Sequence, residues 1–170
     1  MFNKKVADLL NDQINKEFYS AYLYLDMNNY FEARGLDGFA NWYKIQAMEE
    51  RDHAMLFYQY MQNNDLKVTL DAIAKPDKVF KEDMDVLKAG LAHEEFVTDS
   101  INTIYAEAYK AKDFRTMQFL DWFIKEQGEE ETNARDLITK MELFGSDPKS
   151  LYMLNQELAA RVYTAPSLVL

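Results

Sequence analysis

LDGFANWYKIQAMEERDHAMLFYQY, residues 36–60, repeats large apolar or aromatic side chains at intervals of three and four. Leu36, Phe39, Tyr43, Phe57 and Tyr60 fall on one stripe of an α-helix, and Gln46, Glu50 and His53 fall on the same stripe. Asp37 offers an N-cap, and the helix runs from 37 to about 63. Upstream, a pattern over about 3–33 begins at Asn3, a plausible N-cap, and stops at Gly35. Downstream come helical patterns over about 81–110, 113–144 and 148–160; Asp147-Pro148 reads as N-cap and first residue of the short last one.

Loop lengths set the topology. The first and third connections are so short that each must close an antiparallel helical hairpin. The second, from Asn64 to about Phe80 through Pro76, is roughly 17 residues, longer than an ordinary helix–helix loop. Each long helix spans about 40 Å, and an extended segment of that length reaches about 55 Å. The expectation is all-α: a four-helix bundle with one long crossover and a short fifth C-terminal helix, in a single domain over 1–170. Scarce glycine (5) and proline (3) agree with long helices.

The other stripes also carry acids. Helix one places Glu17 and Tyr24 with Leu10, Ala21 and Phe31; helix three places Glu94 with Leu87, Leu91, Thr98, Ile101 and Tyr105. Helix four places Gln127 and Glu130 among Leu120, Phe123, Ala134, Leu137 and Met141. Burying an isolated carboxylate costs several kcal/mol, and no lysine or arginine shares these stripes. Two divalent ions would balance the four carboxylates. Glu50 and His53 form Glu-x-x-His, which turns a carboxylate and an imidazole to one helix face. Alone that pair reads as a core histidine with a satisfied ring; the three further acids give it weight. One nitrogen among oxygens disfavours structural zinc, copper and a calcium cage, and leaves iron or manganese.

A second acidic group lies beside the first, in Glu126-Gln127-Gly128-Glu129-Glu130-Glu131 and at Glu49. Glu126 and Glu130 are like charges four apart, unfavourable by about 0.2–0.5 kcal/mol, and Gly128 costs the helix about 1 kcal/mol. Glu131 reads as part of a solvated face; Glu49, Glu126 and Glu129 read as an additional cation site.

Composition excludes other classes. A net charge of −10 is the wrong sign for nucleic acid and no help at an anionic membrane. No cysteine means no disulfide, no cysteine-built zinc site and no rubredoxin-type iron centre. No apolar run suits a signal peptide or a membrane span, so a cytoplasmic protein is expected.

Four segments resemble bacterial non-haem ferritins: Leu10-Asn11-Asp12-Gln13-Ile14-Asn15-Lys16-Glu17 with Tyr24; Met48-Glu49-Glu50-Arg51-Asp52-His53; His93-Glu94-Glu95; and Trp122 through Glu131. With the crossover and the short last helix, the resemblance spans essentially the whole chain. It implies a ferritin-like fold and a ferroxidase that oxidises Fe(II) with dioxygen or hydrogen peroxide at a dinuclear iron centre. Glu17, Glu50 and His53 would hold one iron; Glu50 would bridge to a second, held also by Glu94 and Glu130. Gln127 would support the centre, and Tyr24 would hydrogen-bond near it and supply an electron. Glu49, Glu126, Glu129 and Glu130 match a third iron site, and the family assembles shells of twenty-four subunits around a ferric mineral. Bacterioferritins carry a second Glu-x-x-His on helix four and a haem-ligating methionine just after the helix-two glutamate. Here Gln127-Gly128-Glu129-Glu130 and Arg51-Asp52 stand instead, so no haem is expected. Two other readings remain: a di-iron or di-manganese oxidoreductase acting on peroxide or an organic substrate, and a non-catalytic bundle with its acids on a solvent-facing seam.

Overall fold

In the computed structural model, which describes residues 3–170, five helices form a four-helix bundle with a long crossover and a short C-terminal helix. They are α1 (Lys4–Ala33), α2 (Asp37–Asn63), α3 (Asp83–Ala111), α4 (Phe114–Phe144) and α5 (Pro148–Ala159). Local chemistry sets most ends. The Asn3 side chain accepts from the backbone N–H groups of Lys5 (2.9 Å) and Val6 (3.2 Å), and Asp113 and Asp147 cap α4 and α5 likewise. Gly35 adopts φ +69°, a left-handed conformation that lets the Leu36 N–H return to the Phe31 carbonyl and close α1.

Two ends differ from the sequence expectation. Asp37 is the first residue of α2 and not its cap; Asn155 of α5 accepts instead from the N–H groups of Gly38 (2.8 Å) and Phe39 (3.3 Å). A Cβ on Gly38 would lie 1.7 Å from the Asn155 carbonyl oxygen, so glycine is what lets α5 dock there. The third helix starts at Asp83, not at 81, because the Asp85 carboxylate takes the N–H groups of Lys81 (3.1 Å) and Glu82 (3.2 Å) and holds both outside the helix.

α1 packs chiefly on α2 and α3 on α4, as the two hairpins require. The crossover runs along α1: Asn11 exchanges two hydrogen bonds with the Thr69 backbone (3.0 and 2.7 Å), and Asn15 donates to the Ala72 carbonyl (3.1 Å). The core divides in two. One half gathers Leu10, Ile14, Phe57, Ile101 and Phe123; the other gathers Leu23, Phe31, Phe39, Leu87 and Leu137. Each such side chain fully buried contributes about 1.5–3 kcal/mol. Along each of α1 to α4 the division falls at the buried polar positions, which form a layer across the bundle. On α3 the buried face is Gly90, Glu94, Val97, Ile101 and Ile104, and the expected partners Leu91, Thr98 and Tyr105 are only half-buried. No described helix is long and apolar enough to cross a membrane.

Candidate metal centre

The polar layer holds Glu17, Glu50, His53, Glu94, Gln127 and Glu130, none more than 5 % exposed. Glu17, Glu50 and His53 each present a ligand atom within 4.8 Å of the others. His53 Nδ1 lies 3.6 Å from Glu50 Oε2. Both Glu50 oxygens, Glu17 Oε2 and His53 Nδ1 are buried without a hydrogen-bond partner among the described residues. Leaving such groups unsatisfied costs about 1–3 kcal/mol each and more when charged. One carboxylate oxygen each from Glu17 and Glu50 and the His53 imidazole nitrogen come together, and that mixed oxygen and nitrogen set suits a divalent transition-metal ion such as Fe²⁺.

Several contacts hold these ligand atoms in place. Gln13, four residues before Glu17, donates to Glu17 Oε1 (2.9 Å) and accepts from Ser100 (2.6 Å), which in turn accepts from Lys16 (2.8 Å). The edges and faces of Trp122 and Phe123 fix the His53 ring, with centroids 5.6 and 5.8 Å away.

Glu94 and Glu130 share the layer but do not close into the same ligand cluster. Tyr24 donates to Glu94 Oε1, Gln127 donates to Glu94 Oε2 (3.1 Å), and Gln46 donates to Glu130 Oε2 (2.8 Å). Beside them a cavity of about 20 Å³, lined by Tyr24, Gln46, Glu94 and Glu130 among others, has room for a single water-sized molecule. Burial and the neighbouring Glu130 push the Glu94 carboxyl up to about 8. Burial, then Glu94 and Glu17, push Glu50 well above the usual carboxylate range; burial also raises Glu17, and burial and Glu94 raise the Tyr24 phenol. Without a cation, burial thus favours the protonated form of Glu17, Glu50 and Glu94.

The outer acids do not join this group. Glu49 is half-buried and meets the Arg161 guanidinium at 2.7 Å. Glu126 is half-buried, its carboxyl raised by burial against the opposing pull of His53. Glu129 is exposed and pairs with Lys125 at 3.3 Å. Glu131, expected on a solvated face, is half-buried: it accepts from Thr98 (2.7 Å) and pairs with Arg135.

Sequence reasoning missed Gln13, whose spacing of four from Glu17 was the available signal, and Arg161, which had none. It also passed over His93, buried next to Glu94, whose Nε2 sits 2.7 Å from the Ser20 hydroxyl. Burial and then Lys78 lower that imidazole to about 4, so it stays neutral.

Residues 7–144 match the family model described as a ferritin-like domain. The chain is 39 % identical to a bacterial non-heme ferritin of Campylobacter jejuni over 156 residues, covering 92 % of this chain and 93 % of that one. It is 37 % identical to one from Staphylococcus saprophyticus over 163 residues, covering 96 % and 98 %. An open-pore ferritin from the hyperthermophilic archaeon Archaeoglobus fulgidus superposes with a TM-score of 0.93 at 38 % identity, over 95 % of this chain and 100 % of that one.

Proposed function

The chain belongs to the ferritin family, as a bacterial non-heme ferritin-like protein, and on that premise we propose that it is an iron-storing subunit that oxidises Fe(II) at paired sites in the polar layer. The observation that carries the reading is the buried donor set of Glu17, Glu50 and His53, with four polar atoms left without a hydrogen-bond partner among the described residues. One ferrous ion binds there as substrate. A second would be held by Glu94 and Glu130, with Glu50 shared between the two. Binding displaces the protons that burial keeps on Glu50 and Glu94. Dioxygen takes one electron from each of two Fe(II) ions and two protons, giving two Fe(III) and hydrogen peroxide. The carboxylates favour the ferric product because hard anionic oxygens suit the higher charge.

In this reading the Gln13 and Gln46 amides orient Glu17 and Glu130, while Gln127 and Tyr24 hold Glu94. The two aromatic rings at His53 exclude water from that side. Glu49, Glu126 and Glu129 form an outer site for a third iron, and the centre works without haem. Twenty-four copies of the 20.0 kDa chain assemble as a shell of about 480 kDa. A small cavity beside Glu94 and Glu130 supports dioxygen or peroxide as the oxidant over an organic substrate.

Stopped-flow mixing of aerobic buffer with Fe(II)-loaded protein tests the reading. Glu50→Ala and His53→Ala should each slow the rise of ferric absorbance at least about tenfold. Unchanged rates in both would remove the assigned centre, and a monomer in gel filtration would remove the shell.

A further inference from the structure

Beyond α5 the chain doubles back over the bundle as a short strap. Asn41 fixes its departure by donating to the carbonyls of Leu158 (3.3 Å) and Arg161 (3.0 Å). The Arg161 guanidinium lies 4.1 Å from the Trp42 ring centroid, donates to the Trp42 carbonyl (3.3 Å) and meets Glu49 at 2.7 Å. Arg161 and Glu49 are each 18 % exposed at the side chain, so the pair is largely shielded from water. Further on, the Tyr163 hydroxyl donates to Asp52, Trp122 Nε1 donates to Ser167 Oγ (3.0 Å), and Leu168 packs on the core. The strap therefore follows α2 through Trp42, Glu49 and Asp52 and crosses to Trp122 of α4, the residue whose ring abuts His53.

Glu49 is drawn two ways. On one side it meets the Arg161 guanidinium, and on the other lie the Glu130 and Glu126 carboxylates, near enough to repel its charge. A metal ion bound between Glu49 and Glu126 would answer the α4 acids as well, which the guanidinium does not contact. Arginine cannot yield its place by losing a proton. It has to move.

We infer that Arg161 is the resident cation of the outer acidic group, and that a metal ion binding at Glu49 and Glu126 displaces it and releases the strap over 161–168. Arg161 thus sets the affinity of the outer site, which fills only after the inner ligands, where no protein cation competes. The inference rests on the reading of Glu49, Glu126 and Glu129 as an iron site.

The assembled protein is titrated calorimetrically with Zn²⁺, a divalent ion that undergoes no oxidation, and the strap amides are followed by hydrogen exchange with mass spectrometry. Wild type should bind a third, weaker equivalent per chain after two tight ones, with faster exchange across 162–168 only as that third equivalent fills. Arg161→Gln should tighten the third equivalent about tenfold; Arg161→Lys, which keeps the charge but loses the planar fork, should fall between. Glu49→Gln should abolish the third equivalent and leave strap exchange insensitive to zinc. A third equivalent that depends on Glu49 but is unmoved by both Arg161 variants overturns the displacement, as does a strap whose exchange stays constant while the site fills. No third equivalent in wild type or in Arg161→Gln overturns the outer-site reading itself.

Discussion

Glu50 and Glu49 are consecutive residues on α2, yet their surroundings answer the same charge in opposite ways. Glu50 turns into the polar layer, 1 % exposed, with neither oxygen partnered. Glu49 turns to the α2–α4 seam and meets an arginine from 112 residues further along the chain. The same division separates Glu130 from Glu129, which pairs with Lys125. Acid density alone therefore does not separate the two groups. The missing protein counter-charge marks the inner one, because an uncompensated buried carboxylate persists only where an ion or a proton neutralises it.

The largest effect expected from this contrast is on metal-linked stability. Zinc at a hundred times its Kd should stabilise the wild-type protein by about 2.7 kcal/mol for each inner site in calorimetry. Glu50→Gln should lose most of that gain and Glu49→Gln should keep most of it; equal losses would erase the distinction between the two groups. Next in size, metal-free Glu50→Gln should be more stable than wild type by about 1–3 kcal/mol near neutral pH, since glutamine is buried without first taking up a proton. Metal-free Glu49→Gln should not gain, because it breaks the pair with Arg161.

A smaller effect concerns pH. Glu94 is raised to about 8, and Glu17 and Glu50 are raised as well, so the folded metal-free protein holds protons that the unfolded chain has released. Their stabilisation is complete below the ordinary carboxylate range and is lost as pH rises through about 8. The metal-free melting temperature should fall by several degrees from roughly pH 6.5 to pH 9, and zinc should flatten the profile. Neutral His93, lowered to about 4, acts in the opposite sense only on the acid side of this window. The smallest effect falls on Gly128, exposed on α4 between the two groups, where a Cβ meets nothing within 4 Å. Gly128→Ala should stabilise by about 0.5–1 kcal/mol in thermal melts and leave the inner zinc equivalents as they are.

The bundle was legible because helical periodicity and loop length are local properties of the chain. The burial of Glu17, Glu50, Glu94 and Glu130 was legible for the same reason, each being phased by apolar neighbours three and four residues away. The phase of α3 was read partly wrong: Leu91, Thr98 and Tyr105 lie only half-buried while Gly90, Val97 and Ile104 face the core. Apolar residues occupy both stripes there, so the pattern did not choose between them.

By itself, then, the sequence determined the helices, their hairpin pairing and the placing of four acids and one histidine on buried faces. Only the tertiary structure decided which groups would neutralise which. Asn155 caps α2 from α5, Ser100 reaches Gln13 from α3, and Arg161 reaches Glu49 from the strap. These partners lie 87 to 117 residues apart in the chain. A periodic pattern reports which side of its own helix a residue occupies, whereas a counter-charge brought from another element depends on the path of the chain between them.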